Sequence, residues 1–139
     1  MKAMLKQVDG LSLVGKAGSN HWITMDGAPE SGGSAAGPTP MELVLLGLGG
    51  CTSMDVISIL QKMRMPLDGY ECHLEAERAA DHPKVFTNIK VKFVFYGKGI
   101  SKEAVERAIE LSESKYCSVS AMLAKTAEIV TEYEIREHK

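Results

Sequence analysis

Apolar and polar side chains alternate in the second half of the chain, and this alternation predicts three strands. In Tyr70–Arg78 and Val85–Phe95 apolar residues recur at every second position, which is the period of a half-buried strand. The short loop Ala80–Pro83 between them predicts a hairpin. Glutamates on the outer face of the first strand and lysines on that of the second favour cross-strand ion pairs. The stretch Ile129–Ile135 alternates in the same way and predicts a strand near the end of the chain.

The first forty residues carry a different pattern. Met4–Met25 contains short apolar runs that are interrupted by glycines, which predicts brief strands joined by tight turns. Gly27–Pro38 is rich in Gly, Ser, Ala and Pro, and it predicts a flexible loop that leads from the strands to a helix. Too little sequence precedes this loop for a separate domain.

A helix-start signature follows this loop. Thr39 supplies an N-cap hydroxyl, a proline occupies the first helical position, and Glu42 completes a capping box. We expect the helix to run to about Met63 and to end before Pro66, because proline disfavours helical geometry in the residue before it. Between Leu43 and Leu60 apolar residues occupy nearly every face, which predicts a helix that is buried almost all round.

Two glycines inside this helix, Gly47 and Gly50, need a compensating interaction. Glycine in a helix costs roughly 1 kcal/mol relative to alanine. We therefore expect another backbone to approach this face closely and to leave room around the neighbouring Cys51.

Two shorter helices are predicted downstream. One opens at Ser101 and runs to about Lys115, and a brief third one covers Ser118–Ala124. The order of strands, long helix, hairpin, helix and strand predicts an α+β fold with a mainly antiparallel sheet and a long buried central helix. At 139 residues, we expect a single domain over residues 1–139.

Composition narrows the class of protein. A hydrophobic content of 45% and a charged content of 24% are typical of a globular chain. The net charge of −2 gives no support to binding of nucleic acid or to a polybasic membrane contact, so we expect neither partner. The longest uncharged apolar stretch, Leu43–Met54, is by itself too short to span a bilayer. Three cysteines exclude a fully paired disulfide framework, which favours a reducing, cytoplasmic location.

The three cysteines have different surroundings. Cys51 lies among Gly, Thr and Ser residues that would leave space for a ligand, although a free cysteine is also a common inert core residue. Cys117 follows Lys115 and precedes a run of small residues that can begin a helix, and a helix start favours a thiolate. The same residue could equally be a buried cysteine at a helix junction. Cys72 lies on the apolar face of a predicted strand, which indicates a structural role.

Spacing of ligand-type residues predicts neither a metal site nor a bound cofactor. Cys72 and His73 are adjacent in a strand and would point to opposite faces. The chain has no C-x-x-C or H-x-x-x-H pair. The glycines at Gly47–Gly50 lie inside a predicted helix, where their N–H groups are already used, and so do not form a nucleotide-binding loop.

The chain contains two cysteine motifs, Gly47–Val56 (GLGGCTSMDV) and, further along, Ser114–Leu123 (SKYCSVSAML). In this order they closely resemble those of the OsmC/Ohr family, the osmotically inducible and organic-hydroperoxide-resistance proteins, and in particular its YhfA-like branch. The resemblance covers essentially the whole chain. It is carried by Gly37–Leu43 (GPTPMEL), Gly47–Val56 (GLGGCTSMDV), Ala76–Arg78, Ser114–Leu123 (SKYCSVSAML) and Thr126–Ile129.

The resemblance implies an intertwined α+β homodimer that reduces organic hydroperoxides through its thiols. It implies that Cys51 attacks the peroxide, that Cys117 resolves the product to a disulfide, and that an external dithiol reductant restores both thiols. Apolar residues near the motifs are expected to favour alkyl or acyl hydroperoxides over hydrogen peroxide. These residues are Leu43, Leu46, Leu48, Met54 and Met122.

The family's site also uses a helix-start glutamate and an N-terminal arginine. Glu42 is the matching glutamate, although it stands nine residues before Cys51 where the peroxidase branches usually have ten. The arginine has no counterpart, since the first arginine of the chain is Arg64. Candidates to replace it are Lys16, His21 and Arg78.

The missing arginine favours an alternative hypothesis. In this alternative the same dimer is a non-enzymatic binding protein for an apolar small molecule. A redox sensor that uses the same cysteines is a further hypothesis.

Overall fold

The computed structural model describes residues 1–138 and has an α+β architecture. Its regular elements are β1 (Ala3–Asp9), β2 (Ser12–Ala17), β3 (Trp22–Met25), α1 (Pro40–Lys62), β4 (Gly69–Arg78), β5 (Phe86–Tyr96), α2 (Lys102–Leu111), α3 (Ser118–Leu123) and β6 (Glu128–Arg136). The predicted strands, hairpin and three helices are all present. The chain forms two compact units, Met1–Leu46 and Gly47–Lys139, which are described separately.

In the first unit the strands form an antiparallel sheet in the order β1-β2-β3. Gly10, with a positive φ of 51°, takes part in the turn that joins the first two strands. Every residue of β1 is exposed, including Leu5 and Val8. The brief glycine-interrupted strands predicted for this region are therefore confirmed.

The loop after β3 is held by one buried carboxylate, that of Asp26, which is only 2% exposed. Ser12 Oγ donates to it at 2.8 Å and Ser34 Oγ at 2.6 Å. The backbone N–H groups of Gly27 and Ala36 donate at 2.7 and 3.0 Å. The prediction of a flexible loop therefore does not hold at Gly27, Ser34 and Ala36, because a side-chain hydroxyl and backbone N–H groups of these residues are bound to this anion.

The hydrogen bonds to Asp26 make a pH-dependent contribution to stability. They lower the pKa of its carboxyl well below the ordinary value of 3.8, the bond from Ser34 most of all. A lowered folded-state pKa contributes stability that is present above the unfolded pKa and is lost as the pH falls through the folded pKa.

We therefore expect Asp26→Asn to unfold at a lower temperature than the wild type at neutral pH. The gap between the two proteins should narrow as the pH falls below about 4, where the unfolded carboxyl is protonated. Thermal unfolding, followed by circular dichroism at neutral pH and at a pH below about 4, measures this difference in unfolding temperature. Asp81→Asn, in an exposed loop, is the matched control. A gap that is the same at both pH values would contradict the assignment.

In the second unit the sheet has the order β4-β5-β6, with β5 antiparallel to β4 and parallel to β6. Seven of the eleven residues of β5 are buried, including all four from Phe93 to Tyr96, which is expected of a central strand. Lys90 and Lys92 of this strand form ion pairs with Glu132 and Glu134 of β6, at 3.1 and 3.5 Å. The acid–lysine alternation had predicted pairs between β4 and β5, and the register does place Glu75 opposite Lys90. The ion pairs recorded for these two lysines instead join β5 to β6.

The start of α1 is as predicted. The backbone N–H of Thr39 donates to Glu42 Oε2 at 2.6 Å, and the N–H of Glu42 donates to Thr39 Oγ1 at 3.3 Å. The capping box is thus formed in both directions.

Burial along α1 differs from the prediction. Only five of its 23 residues are buried in the single chain, namely Leu48, Gly49, Thr52, Val56 and Leu60. They recur at a spacing of three to four residues and therefore form one stripe. The apolar side chains of Val44, Leu46 and Met54 are exposed. An apolar sequence indicates that the surface of a helix will be buried, but it does not show whether the same chain or a second chain buries it.

The approach of another backbone predicted at Gly47 and Gly50 was wrong: the close approach is at Gly49, and a side chain makes it. A Cβ atom built on Gly49 would lie 2.7 Å from Cδ1 of Leu74 in β4, whereas one on Gly47 or Gly50 would meet no described atom within 4 Å. Gly49 therefore allows α1 to pack against the sheet of the second unit.

By length and composition α1 could also cross a membrane, since its 23 residues include a window with a mean hydropathy of 1.9. This corrects the prediction from Leu43–Met54 alone, because the helix extends beyond that stretch. Core helices of globular proteins have the same properties, and α1 contacts the sheet at Leu74.

Candidate functional site

Three side chains of the second unit meet around one point. Cys51 and Asp55 lie four residues apart on α1, so they share a face of the helix. Cys117 stands at the N-cap of α3, directly after a π-helical turn, Ser112–Tyr116, that continues from α2. The two sulfur atoms and a carboxylate oxygen of Asp55 all lie within 4.8 Å of one another. The structure thus brings together the two cysteines singled out in the sequence.

Ser112 connects the two sides of this cluster. Its side chain is buried, with 1% exposure, and its Oγ donates to Oδ2 of Asp55 at 3.2 Å. Its backbone carbonyl accepts the N–H of Cys117 at 2.8 Å. One residue of the π-helical turn therefore orients both the carboxylate and the second cysteine.

Cys117 is buried, with only 3% of its surface exposed. Burial, which is the largest effect, raises its pKa to about 11, and the nearby Cys51 and Asp55 act in the same direction. The N–H of Ser120 donates to Sγ at 3.3 Å and lowers the pKa in part. The helix start predicted from sequence is therefore present, but burial outweighs it.

Lys115 had also been expected to favour a Cys117 thiolate. Its Nζ lies over the ring of Tyr116, 5.4 Å from the centroid, and the side chain is exposed. Cys51, in contrast, is half-buried. Of the two thiols, Cys51 is thus the more accessible to a molecule from solvent.

A groove of about 320 Å³ adjoins Asp55. Its walls combine apolar side chains with a few polar ones. They are Asp55, Ser58, Ile59, Lys62, Met63, Leu111 and Tyr116. This set differs from the apolar lining expected from sequence, and the side chains of Met54 and Met122 are exposed. Each cysteine motif contributes one residue to this groove, Asp55 and Tyr116, and most of the other residues lie on α1 after Asp55.

The remaining candidates have other contacts. Glu42 is held in the capping box, and the N–H of Thr39 lowers the pKa of its carboxyl. Arg78 donates from Nε to the carbonyl of Lys84 at 2.8 Å, in the hairpin. Lys16 donates to Asn20 Oδ1 at 2.6 Å. Their involvement in the site stays a prediction.

Cys72 lies in β4, half-buried, at the register position opposite Phe93. Burial is the main cause that raises the pKa of its thiol, while Ser53 and Tyr70 lower it in part. The hydroxyl of Tyr70 donates to Ser53 Oγ at 3.0 Å beside it. These surroundings agree with the structural role predicted for Cys72.

Asp55 is the member of the cluster that sequence reasoning missed. The search for metal ligands considered Cys and His spacings and predicted no metal site. The sequence feature that could have identified Asp55 is its position four residues after Cys51 on a predicted helix, which places both side chains on one face. Two thiolates and a carboxylate form a ligand set that Zn²⁺ accepts, so within residues 1–138 these three side chains are the group that could hold a metal ion. Metal binding and a Cys51–Cys117 disulfide exclude each other, because both use the same two sulfur atoms.

Comparison with known proteins gives a consistent result. A family model described as "OsmC-like protein" matches residues 31–132. Protein YhfA of Escherichia coli (strain K12) is 44% identical over 135 residues, which are 97% of this chain and 98% of YhfA. The chain therefore belongs to the OsmC-like family, whose members are associated with redox and peroxide-stress roles.

Solved structures share the fold. A hypothetical protein from Aquifex aeolicus VF5 is 30% identical with a TM-score of 0.87, covering 99% of this chain and 97% of that one. The organic hydroperoxide resistance protein OsmC from Legionella pneumophila has a TM-score of 0.71 at 13% identity, covering 96% of this chain and 97% of its own. At that identity the likeness concerns the fold.

The structural role of Cys72 can be tested by Cys72→Ala. We expect a loss of about 1 kcal/mol in the free energy of unfolding, because a partly buried sulfur is removed from the sheet surface. Any peroxide-dependent activity should stay close to that of the wild type. Urea unfolding and an activity assay measure the two effects. A loss of activity as large as that of Cys51→Ser would show that Cys72 belongs to the reactive site.

Proposed function

We propose that the protein is a thiol-dependent reductase of organic hydroperoxides that acts in defence against oxidative stress. The observation that supports this most is the proximity of the two sulfurs of Cys51 and Cys117, within 4.8 Å. A disulfide bond is about 2.05 Å long, so the sulfurs need to approach by no more than about 3 Å. Family membership supports the same reaction class.

In the first step Cys51 attacks the distal oxygen of the hydroperoxide as a thiolate. The O–O bond breaks, the thiol becomes a sulfenic acid, and the substrate leaves as the corresponding alcohol after gaining a proton. In the second step the sulfur of Cys117 attacks the sulfenic acid and forms a disulfide, releasing water. An external dithiol then reduces the disulfide by thiol–disulfide exchange. No bound cofactor is needed.

The order of the two cysteines follows from exposure. Cys51 is half-buried and so can meet a substrate from solvent, whereas Cys117 is almost fully buried. The raised pKa of Cys117 also disfavours it as the first nucleophile, because the thiolate is the reactive form. A buried resolving thiol is protected from direct oxidation until Cys51 has reacted.

The groove beside Asp55 supports an organic substrate. Ile59, Met63 and Leu111 give it apolar walls that can contact an alkyl or acyl group. Hydrogen peroxide has no apolar part that could use these contacts. We therefore propose organic hydroperoxides as the substrate class.

The other features of the proposal rest on the family. Glu42 is the family's helix-start glutamate by position, and we propose that it contributes to the site. We further propose a cytoplasmic, single-domain protein that acts as a homodimer. The dimer is supported by exposed apolar residues of α1, namely Val44, Leu46 and Met54, which a single chain leaves uncovered.

Turnover tests the reaction class directly. We expect the reduced wild type to consume cumene hydroperoxide catalytically when a dithiol reductant is present. Cys51→Ser should abolish turnover, because the attacking sulfur is lost. Cys117→Ser should stop catalytic cycling while still forming a sulfenic acid on Cys51 that dimedone can trap. Peroxide consumption and mass spectrometry of the dimedone adduct measure these outcomes, with Cys72→Ala as the cysteine control.

Absence of peroxide consumption by the wild type would refute the reductase proposal. The alternative of a binding protein for an apolar small molecule would then be favoured, because the groove is present and the family's N-terminal arginine is missing.

The dimer can be tested in solution. We expect light scattering to give twice the chain mass of 15.1 kDa at micromolar concentration. Met54→Lys places a charge on an exposed apolar position of α1 and should weaken association, whereas Glu113→Lys, at an exposed position of the π-helical turn, should not. A wild-type protein that is monomeric at this concentration would contradict the proposed assembly.

A further inference from the structure

The proposed reaction needs a group that moves protons at the two sulfurs. The first step must deliver a proton to the departing alkoxide, and the second must remove one from Cys117 while hydroxide leaves Cys51. The family's arginine is missing, and Glu42 is bound in the capping box of α1. Within the described residues, Asp55 is the carboxylate that shares a cluster with both sulfurs.

We propose that Asp55 is the proton carrier of both steps, an inference that rests on the proposed function. Its carboxylate lies within 4.8 Å of each sulfur and also lines the groove proposed for the substrate. Ser112 holds Oδ2 at 3.2 Å, so the carboxylate is oriented before the substrate arrives. A separation of up to 4.8 Å exceeds a direct hydrogen bond, so each proton transfer requires the groups to approach or one water molecule to bridge them.

The proton balance of the first step is simple. Asp55 accepts the proton of the Cys51 thiol, and the thiolate so formed attacks the distal oxygen. The O–O bond breaks with its electron pair on the alkoxide, and Asp55 passes the proton to that oxygen. The products are the sulfenic acid and the alcohol, and the carboxylate is regenerated.

The second step repeats the same transfer. Asp55 accepts the proton of the Cys117 thiol as this sulfur attacks the sulfenic acid. The S–O bond of Cys51 breaks, hydroxide leaves, and Asp55 returns the proton to give water. A disulfide has formed, and Asp55 is again ionised.

The negative charge of the Asp55 carboxylate is consistent with a role in proton transfer and not with a role in stabilising a thiolate. A carboxylate repels a thiolate, and Asp55 is one of the groups that raise the pKa of Cys117. A proton acceptor beside a neutral thiol removes that conflict, because the carboxylate is neutral while the sulfur carries the developing charge. The other ionisable groups that line the groove are Lys62 and Tyr116.

The test compares two reactions of the same thiols. Attack on a peroxide needs a proton at the leaving oxygen, whereas alkylation by iodoacetamide needs only a thiolate. General acid–base catalysis contributes about 10²- to 10⁴-fold. We therefore expect Asp55→Asn to slow sulfenic acid formation and disulfide formation by about 100-fold or more, while the alkylation rate stays equal or rises.

Three further variants complete the experiment. Ser112→Ala removes the orienting hydrogen bond but keeps the carboxylate, so its loss should be smaller than that of Asp55→Asn. Asp81→Asn, in an exposed loop, should match the wild type. Should Asp55→Asn fail to fold, Asp55→Ala with added formate serves instead, and formate should restore part of the peroxide rate. Stopped-flow fluorescence and dimedone trapping follow the two steps separately.

The outcomes distinguish the two proposals. An active wild type with an equally fast Asp55→Asn overturns the proton-carrier role alone. Equal slowing of peroxide reaction and alkylation indicates a structural role and also overturns it. A wild type that consumes no peroxide overturns both proposals.

Discussion

The chemistry proposed for this protein depends on one constraint, namely that Ser112 holds both sides of the cysteine cluster. Cys51 and Asp55 lie on α1, and Cys117 directly follows the π-helical turn that begins at Ser112. The Ser112 hydroxyl fixes Asp55 while its carbonyl fixes the backbone of Cys117. Because Ser112 is buried, water does not compete for these hydrogen bonds, and a buried bonded group is costly to disrupt.

The sheet of the second unit provides the support behind this arrangement. β5 is central and buried over most of its length, and its Phe93 and Phe95 pack with Tyr70 at centroid distances of 6.0 and 5.4 Å. Gly49 lets α1 approach Leu74 of the adjacent strand. The helix that carries Cys51 is therefore anchored one turn or less from the reactive sulfur, which limits how far that sulfur can move.

Local sequence signals predicted the elements well, because they act within a few residues. The capping box of Thr39 and Glu42 and the alternation of β4 and β5 are of this kind. Longer-range partners were harder to predict. The burial of α1 depends on surfaces beyond one helix, the lysines of β5 pair with β6, and the loop around Asp26 is ordered by an anion whose donors are distributed along the chain.

In the candidate site, too, local sequence signals were predictive and long-range contacts were not. The resemblance of the two cysteine motifs singled out Cys51 and Cys117, and the structure places their sulfurs close together. Asp55 was visible in the sequence as a carboxylate one helical turn from Cys51, but only the folded chain shows that Cys117 approaches the same face. Burial of Cys117 likewise follows from tertiary packing. The sequence left a favoured thiolate at a helix start and a buried cysteine at a helix junction equally open, and the raised pKa agrees with the second.

The most direct measurement is the mapping of disulfides after the reduced protein meets one equivalent of cumene hydroperoxide. The account predicts that digestion and mass spectrometry will yield a peptide that joins Cys51 to Cys117, with Cys72 still a free thiol. Two free thiols at Cys51 and Cys117 with the peroxide unconsumed, or a disulfide that involves Cys72 instead, would contradict it.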